Sequence, residues 1–331
     1  MKNRVAVVLF NLGGPDSLAA VQPFLYNLFS DPDIFRLPLP WLTQKPFAWL
    51  VSRRRTHEAS KGYAAIGGAS PLLENTRKQA AALAQSLATE EQIDVHICMR
   101  YWHPRAAQVV SELKRAGYAR VVLLPLYPQY SCTTTGSSYN EFVRECTRQD
   151  YRPAVSYVRA WHDQPDYLDG IVQRLRMEAA GFPRPDPGEI ELLFSAHGLP
   201  RKIVDASDPY ERQIRATFDA VCARLRWPRA TLCYQSRVGP LEWLRPYTED
   251  VIRDKARAGA KQMLVYPIAF VSDHVETLFE LGQTYADLAR QLGVAHYRVA
   301  PALNADALLI RALSKLVKDA VKSQDGGRHE N

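Results

Sequence analysis

The chain has 331 residues, 47% of them hydrophobic, and carries 42 Lys and Arg against 35 Asp and Glu, a net charge of +7. That composition is ordinary for a folded protein and supplies enough apolar sequence for two domains or one large one. The charge is small and dispersed. It permits an anionic ligand or surface, and its tightest basic run, Arg53-Arg54-Arg55, is too short to argue for nucleic acid.

The opening "MKNRVAVVLF" reads as a first strand, with no export signal in it, and no apolar run approaches a transmembrane length. Strands are expected near 4–11, 93–99, 120–126, 154–160, 189–196, 230–235, 262–268 and 295–300. Each run is apolar at successive positions, as in strands covered on both faces. Helical patterns lie between them, among them "LLENTRKQAAALAQSLA", "AAQVVSELKRAG", "DPYERQIRATFDAVCARL" and "HVETLFELGQTYADLARQL". Strand and helix in alternation imply parallel sheets with right-handed crossovers.

Two halves are visible in this order. "GYARVVLLPL" and "GAKQMLVYPI" both run from Gly to Pro over the same distance, and each leads into a polar loop and a helix. Four strands fall in each half. The expectation is an α/β protein of two similar Rossmann-like domains, each a four-stranded parallel sheet flanked by helices, with an active cleft between them. The first domain is drawn as 1–160 plus 303–322, the second as 161–302. "GFPRPDPGE" (181–189) leads into the second set of strands, "DALLIRALSKLVKDAV" packs back on the first domain, and the last residues, "KSQDGGRHEN", are expected to be disordered. Residues 31–55, rich in proline and aromatics, break the alternation and read either as a mobile apolar lip over a pocket or as a core-packed hairpin of helices.

In such sheets ligands meet the carboxyl ends of the strands. The segments at those ends are "NLGGPDS", "RYWHP" from Arg100, "YPQYSCTTTGSS" from Tyr127, "SAHGLP" around His197, "SRVGPLEW" ending at Trp243, and "SDHVETLFE" with Asp273, His274, Glu276 and Glu280. The last stretch has two readings. Ser272 and Asp273 are favoured N-caps, and Asp273-x-x-Glu276 has capping-box spacing. Alternatively His274 and Glu276 serve chemistry, which requires them on one side of an extended path, since a helix already begun at Asp273 would part them by about 200°. An irregular path through Asp273–Glu276, with the helix opening near Glu276, is therefore expected. No nucleophile elbow, Walker loop or H-E-x-x-H is present. A few imidazole and carboxylate groups suit a divalent ion such as Fe²⁺ held weakly enough to be passed on. Cys98, Cys132, Cys146, Cys222 and Cys233 form no C-x-x-C and read as reduced thiols of a cytoplasmic protein.

Taken together, "NLGGPDS", "YAAIGGASPL", "MRYWHP", "YPQYSCTTTGSS", "LLFSAHGLP", "SRVGPLEWLRP" and "FVSDHVETLFEL" closely resemble ferrochelatase, in family order and over about three hundred residues. The resemblance implies a porphyrin cleft between the two Rossmann-like halves and insertion of Fe²⁺ into protoporphyrin IX with release of two protons, the terminal step of haem synthesis. It makes His197 and Glu276 the catalytic, metal-handling pair. It places Asp273, His274 and Glu280 on the same wall, Trp243 beside the macrocycle, and Arg55, Tyr63 and Ser70 at the porphyrin or its propionates, with Tyr127 and Arg100 as lesser candidates. Fe²⁺ is then a substrate and no cofactor is permanently bound. The family's iron–sulfur ligands lie in a C-terminal extension, whereas no cysteine here follows Cys233, so no cluster is expected. Arg237 stands where the family pattern has Lys. Porphyrin and Fe²⁺ are the expected partners of a cytoplasmic monomer, and the 31–55 segment fits transient contact with the membrane face or with a porphyrin-producing enzyme. A chelatase for cobalt or nickel, a porphyrin carrier and a two-lobed solute receptor remain open alternatives.

Overall fold

A computed structural model describes residues 4–35, 37–88 and 93–326. The chain divides into two compact units. One runs to Ala160 and resumes at Ile310, and the other is Trp161–Leu309.

The first unit holds β1 (Val5–Asn11), β2 (Ile93–Met99), β3 (Arg120–Pro125) and β4 (Ala154–Tyr157), paired in parallel in the order β2-β1-β3-β4. The second holds β5 (Glu191–His197), β6 (Ala230–Gln235), β7 (Gln262–Tyr266) and β8 (His296–Val299), parallel in the order β6-β5-β7-β8. The topology is the same in both. The first strand of each unit is central, the chain crosses to one side and then the other, and the carboxyl ends of all four strands point the same way.

Central strands have the composition this requires. Every residue of β1, β3 and β7 is buried, as is all of β5 before His197. The edges do not. β4 and β8 leave alternate or adjacent side chains exposed, and β2 is only half-buried along most of its length. Burial on both faces, expected for every strand, holds only in the middle, because an edge strand has helices over less of its surface. The helices pack by one stripe. In Ala106–Arg115 the buried residues are Ala106, Val109, Val110 and Leu113, the helical spacing of a core face.

Residues 31–55 hold one helix and not two, and it packs against the preceding helix, Val21–Phe29. From Pro40 they belong to one helix, Pro40–Ala65, with Pro at its first position. Gln44, Ala48 and Ser52 are buried, while Phe47 turns inward to pack near Phe29 and Phe35. Trp41, Leu42 and Trp49 stay exposed. Arg36, part of the same segment, lies outside the described residues. The final helix, Ala307–Gly326, extends into the tail expected to be disordered, and 327–331 lie outside the described residues. This helix is fastened to the first sheet: Arg120 donates to Gln324 Oε1 at 3.1 Å and to the Val321 carbonyl at 3.1 Å, and Gln324 donates to the carbonyls of Val121 and Ala154.

Candidate active site

In the second unit three strand-end segments converge. β5 delivers His197 as its last residue, with its carbonyl fixed by the Tyr210 hydroxyl at 2.8 Å. Gly198 follows, at a place with little room for a side chain. A Cβ there would stand 3.0 Å from the Gln235 carbonyl oxygen and 3.2 Å from the Trp243 ring. This close approach sets Trp243 beside His197, ring centroids 6.4 Å apart, while Phe270 stands edge-on to the imidazole at 6.3 Å. Trp243 is itself locked by its Nε1–H donating to the Val238 carbonyl at 3.0 Å.

Beyond β7 the chain is irregular through Asp273 and His274 and then opens into a π-helical stretch, Glu276–Thr284, before the helix Tyr285–Gln291. The path matches the one expected, but its fastening differs. Asp273 accepts from the Thr277 hydroxyl at 3.2 Å, the Ala302 N–H at 3.1 Å and the Asn304 amide at 2.7 Å, and donates its own N–H to Asn304 at 2.9 Å. Thr277 also accepts the His274 N–H at 3.0 Å. Asp273 therefore ties this loop to the segment after β8 and holds the next residues in place.

That tether lets Glu276 reach β5. Its Oε2 lies 2.8 Å from His197 Nδ1, with the two side chains 26% and 34% exposed. A carboxylate can only accept, so Nδ1 carries the hydrogen and Nε2 is the nitrogen left to exchange a proton. Burial alone would lower the His197 pKa; the Glu276 carboxylate outweighs it and holds the imidazole above its ordinary 6.5. In return, although burial opposes ionisation, His197 keeps Glu276 below the usual carboxylate range. Glu280, half-buried one turn along and facing the charge of Glu276, is raised. His274, buried against Phe270 at a ring distance of 4.3 Å, is lowered by burial. Its Nδ1 is 3.2 Å from the Ser272 carbonyl, leaving Nε2 as a lone pair 4.0 Å from Glu276 Oε1.

His197, Trp243, His274, Glu276 and Glu280 thus meet in one cluster, with Asp273 behind it. Reading the sequence missed Phe270, Ser236, Gln235 and Tyr285, which also contact the cluster. Ser236 and Gln235 flank the start of "SRVGPLEW", so the motif signalled the region without ranking its members.

The other candidates belong to the first unit. There "NLGGPDS", "IGGASPL" and "RYWHP" interlock. Gly14 stands so close to Ser70 that a Cβ would lie 2.5 Å from its Oγ, Ser70 donates its N–H to the Pro15 carbonyl at 2.8 Å, and Trp102 Nε1–H donates to Asp16 at 3.1 Å. Tyr63 is buried, and the Arg55 guanidinium lies 6.0 Å from the Phe29 ring. Tyr127 sits in the apolar core with Phe10 and Phe142, its hydroxyl buried. Arg100 is also committed, to Asp31 at 2.9 Å and Glu141 at 2.8 Å.

The sequence profile of the ferrochelatase family matches residues 4–321. The chain belongs to the ferrochelatase family. A ferrochelatase of Cyanothece sp. is 45% identical over 324 residues, 96% of this chain and 83% of that one. Two from Synechococcus strains are 45% and 46% identical, covering 96% of this chain and 92% and 93% of theirs. Ferrochelatases are lyase-type chelatases of haem synthesis that place iron in protoporphyrin. The fold is shared more widely. SirB from Bacillus subtilis with Fe³⁺ superposes with a TM-score of 0.58 at 12% identity, covering 98% of each chain. A sirohydrochlorin chelatase from Bacillus subtilis subspecies spizizenii in complex with cobalt gives 0.57 at 9% identity, over 98% of this chain and 97% of that one. At such identity the likeness is one of fold.

Proposed function

We propose that the chain inserts Fe²⁺ into protoporphyrin IX and that the His197–Glu276 pair carries the reaction. The supporting observation is the 2.8 Å contact of a strand-end imidazole with a carboxylate, in the unit where "SAHGLP", "SRVGPLEW" and "SDHVETLFE" converge. Insertion removes two pyrrole N–H protons and replaces water on Fe²⁺ with four ring nitrogens. His197 takes the two pyrrole protons in turn on Nε2, passing each to solvent from its part-exposed ring, and Glu276 stabilises the imidazolium formed each time through Nδ1–H. Glu276, with the buried lone pair of His274 nearby, presents a weak, incomplete donor set, which suits an ion that must be released to the ring. Trp243 and Phe270 offer apolar faces to a flat macrocycle. No iron–sulfur cluster enters it: the five cysteines are spread over both units, and Cys98, Cys146 and Cys233 are buried.

Glu276→Gln tests this under anaerobic Fe²⁺ with protoporphyrin. Insertion falls by about a hundredfold or more while porphyrin still quenches tryptophan fluorescence, the loss expected when a proton-transfer group is disabled. Turnover near that of the wild type would remove the pair from the mechanism.

A second observation bears on location. Among the described residues no helix is long and apolar enough to cross a membrane. The helix Pro40–Ala65 nevertheless exposes Trp41 by 80%, Leu42 by 64% and Trp49 by 49% beside the exposed bases Lys45, Arg53 and Arg54. Aromatic and basic side chains together suit an anionic lipid surface. Peripheral attachment at the cytoplasmic membrane face is the reading this supports. Vesicles containing anionic lipid should sediment the wild type and release the Trp41→Ser, Trp49→Ser double variant; equal sedimentation would sink it.

A further inference from the structure

Ser236 has a geometry that the fold alone does not require. It succeeds β6 with φ +64°, a left-handed conformation that costs a residue with a Cβ. In that conformation its N–H and its hydroxyl both face the π-helical stretch. The N–H donates to Glu280 Oε1 at 3.0 Å, and the hydroxyl lies 2.6 Å from Glu280 Oε2 and 3.1 Å from Glu276 Oε2. Glu280 receives two more donors, the Tyr285 hydroxyl at 3.1 Å and Gln235 Nε2 at 3.3 Å. Gln235 is fixed in turn by the Ser195 hydroxyl at 2.7 Å.

The oxygens can be counted. Both oxygens of Glu280 are engaged, so Glu280 is a buttress and not a free ligand. Glu276 Oε2 is engaged by His197 and Ser236. Oε1 is the oxygen left over, on the side of His274 Nε2. We infer that Ser236 is a positioning residue for metal insertion: it clasps Glu280 and holds Glu276 so that Oε1 is the oxygen that meets the incoming divalent ion. The inference rests on the proposed chelatase reading and adds to it which oxygen acts and what orients it. A left-handed serine suits the task because one residue then turns both its N–H and its hydroxyl to Glu280, and the single hydroxyl hydrogen is shared between Glu280 and Glu276.

Ser236→Gly is the informative variant. Glycine adopts φ +64° freely, so the fold is kept or stabilised while the hydroxyl is lost. With it, and with Ser236→Ala, kcat for Fe²⁺ insertion should fall about tenfold, the order expected for one hydrogen bond to a charged group, with the porphyrin KM unchanged. Co²⁺ binding without porphyrin, followed by absorbance, should weaken about tenfold in Ser236→Gly. If Ser236→Gly keeps wild-type kcat and wild-type Co²⁺ affinity, the residue is only structural and the inference fails. If the wild type inserts no iron yet Co²⁺ binding still weakens in Ser236→Gly, the clasp stands and the chelatase reading falls.

Discussion

Beyond β1 and β2 the first unit gathers Arg100, Asp31, Glu141, Ser137 and Tyr101. Arg100 meets Asp31 at 2.9 Å, Glu141 at 2.8 Å and Ser137 Oγ at 2.6 Å, and the Tyr101 hydroxyl donates to Asp31 at 2.7 Å. Asp31 is fully buried and Arg100 nearly so. Beyond β5, β6 and β7 the second unit gathers His197, His274, Glu276, Glu280, Ser236 and Gln235, with two carboxylates facing two imidazoles and His197 and Glu276 partly open to solvent. The topology is common to both units, yet the charge is arranged in opposite ways. In the first cluster Arg100 is matched by Asp31 and Glu141, and Glu141 by Arg105 as well, so the cluster fastens the strand ends together. In the second, Glu276 Oε1 and the Nε2 atoms of His197 and His274 remain available, and a cation or a proton can complete the set. Charged residues at strand ends mark where chemistry could sit; unspent valence marks where it does.

The comparison can be broken most severely at Arg100. Arg100→Leu strands Asp31 in the core and should cost about 3–5 kcal/mol in urea unfolding, the range for breaking a buried ion pair by removing one partner. An unchanged midpoint would mean that the first cluster is not a structural staple. Gly198→Ala should cost about 1–3 kcal/mol, because the added methyl meets a carbonyl oxygen and the Trp243 ring; the Trp243 displacement should be visible as an emission shift, and full wild-type stability with unshifted emission would show that the close approach is not tight. Smaller in size but sharper in meaning is the pH profile. The base form of His197 is required, and Glu276 raises its pKa, so insertion should rise with pH through a midpoint above 6.5. Whatever residual activity Glu276→Gln retains should rise through a lower midpoint, since burial then acts on the imidazole without the carboxylate. A midpoint that does not move would detach Glu276 from His197.

All eight strands lie where runs of β-branched and apolar residues put them, because a central parallel strand needs apolar side chains on both faces, and that pattern is local. Edge position is not local, and exposure along β4 and β8 could not be read. The His197–Glu276 encounter was implied by motifs at strand ends and by the family resemblance. The contacts that hold it were hidden. Asp273 looks like a helix cap in sequence, but its partners Ala302 and Asn304 lie some thirty residues on. Arg100 and Tyr127 look like ligand contacts because they come after strands, and only packing shows that one is paired and the other is in the core. Phe47 has the composition of an exposed lip residue, yet it packs inward, so the exposed aromatics of that helix are Trp41 and Trp49. Ser236 is an ordinary serine until its backbone is known to be left-handed.

The most direct test compares His197→Ala with the wild type in anaerobic Fe²⁺ insertion into protoporphyrin, with porphyrin binding and urea unfolding measured on the same samples. The account predicts that insertion falls at least about a hundredfold, that the porphyrin affinity holds, and that stability changes by no more than about 1 kcal/mol, because a half-exposed pair contributes little to folding. Insertion at the wild-type rate by a folded, porphyrin-binding His197→Ala protein would contradict it.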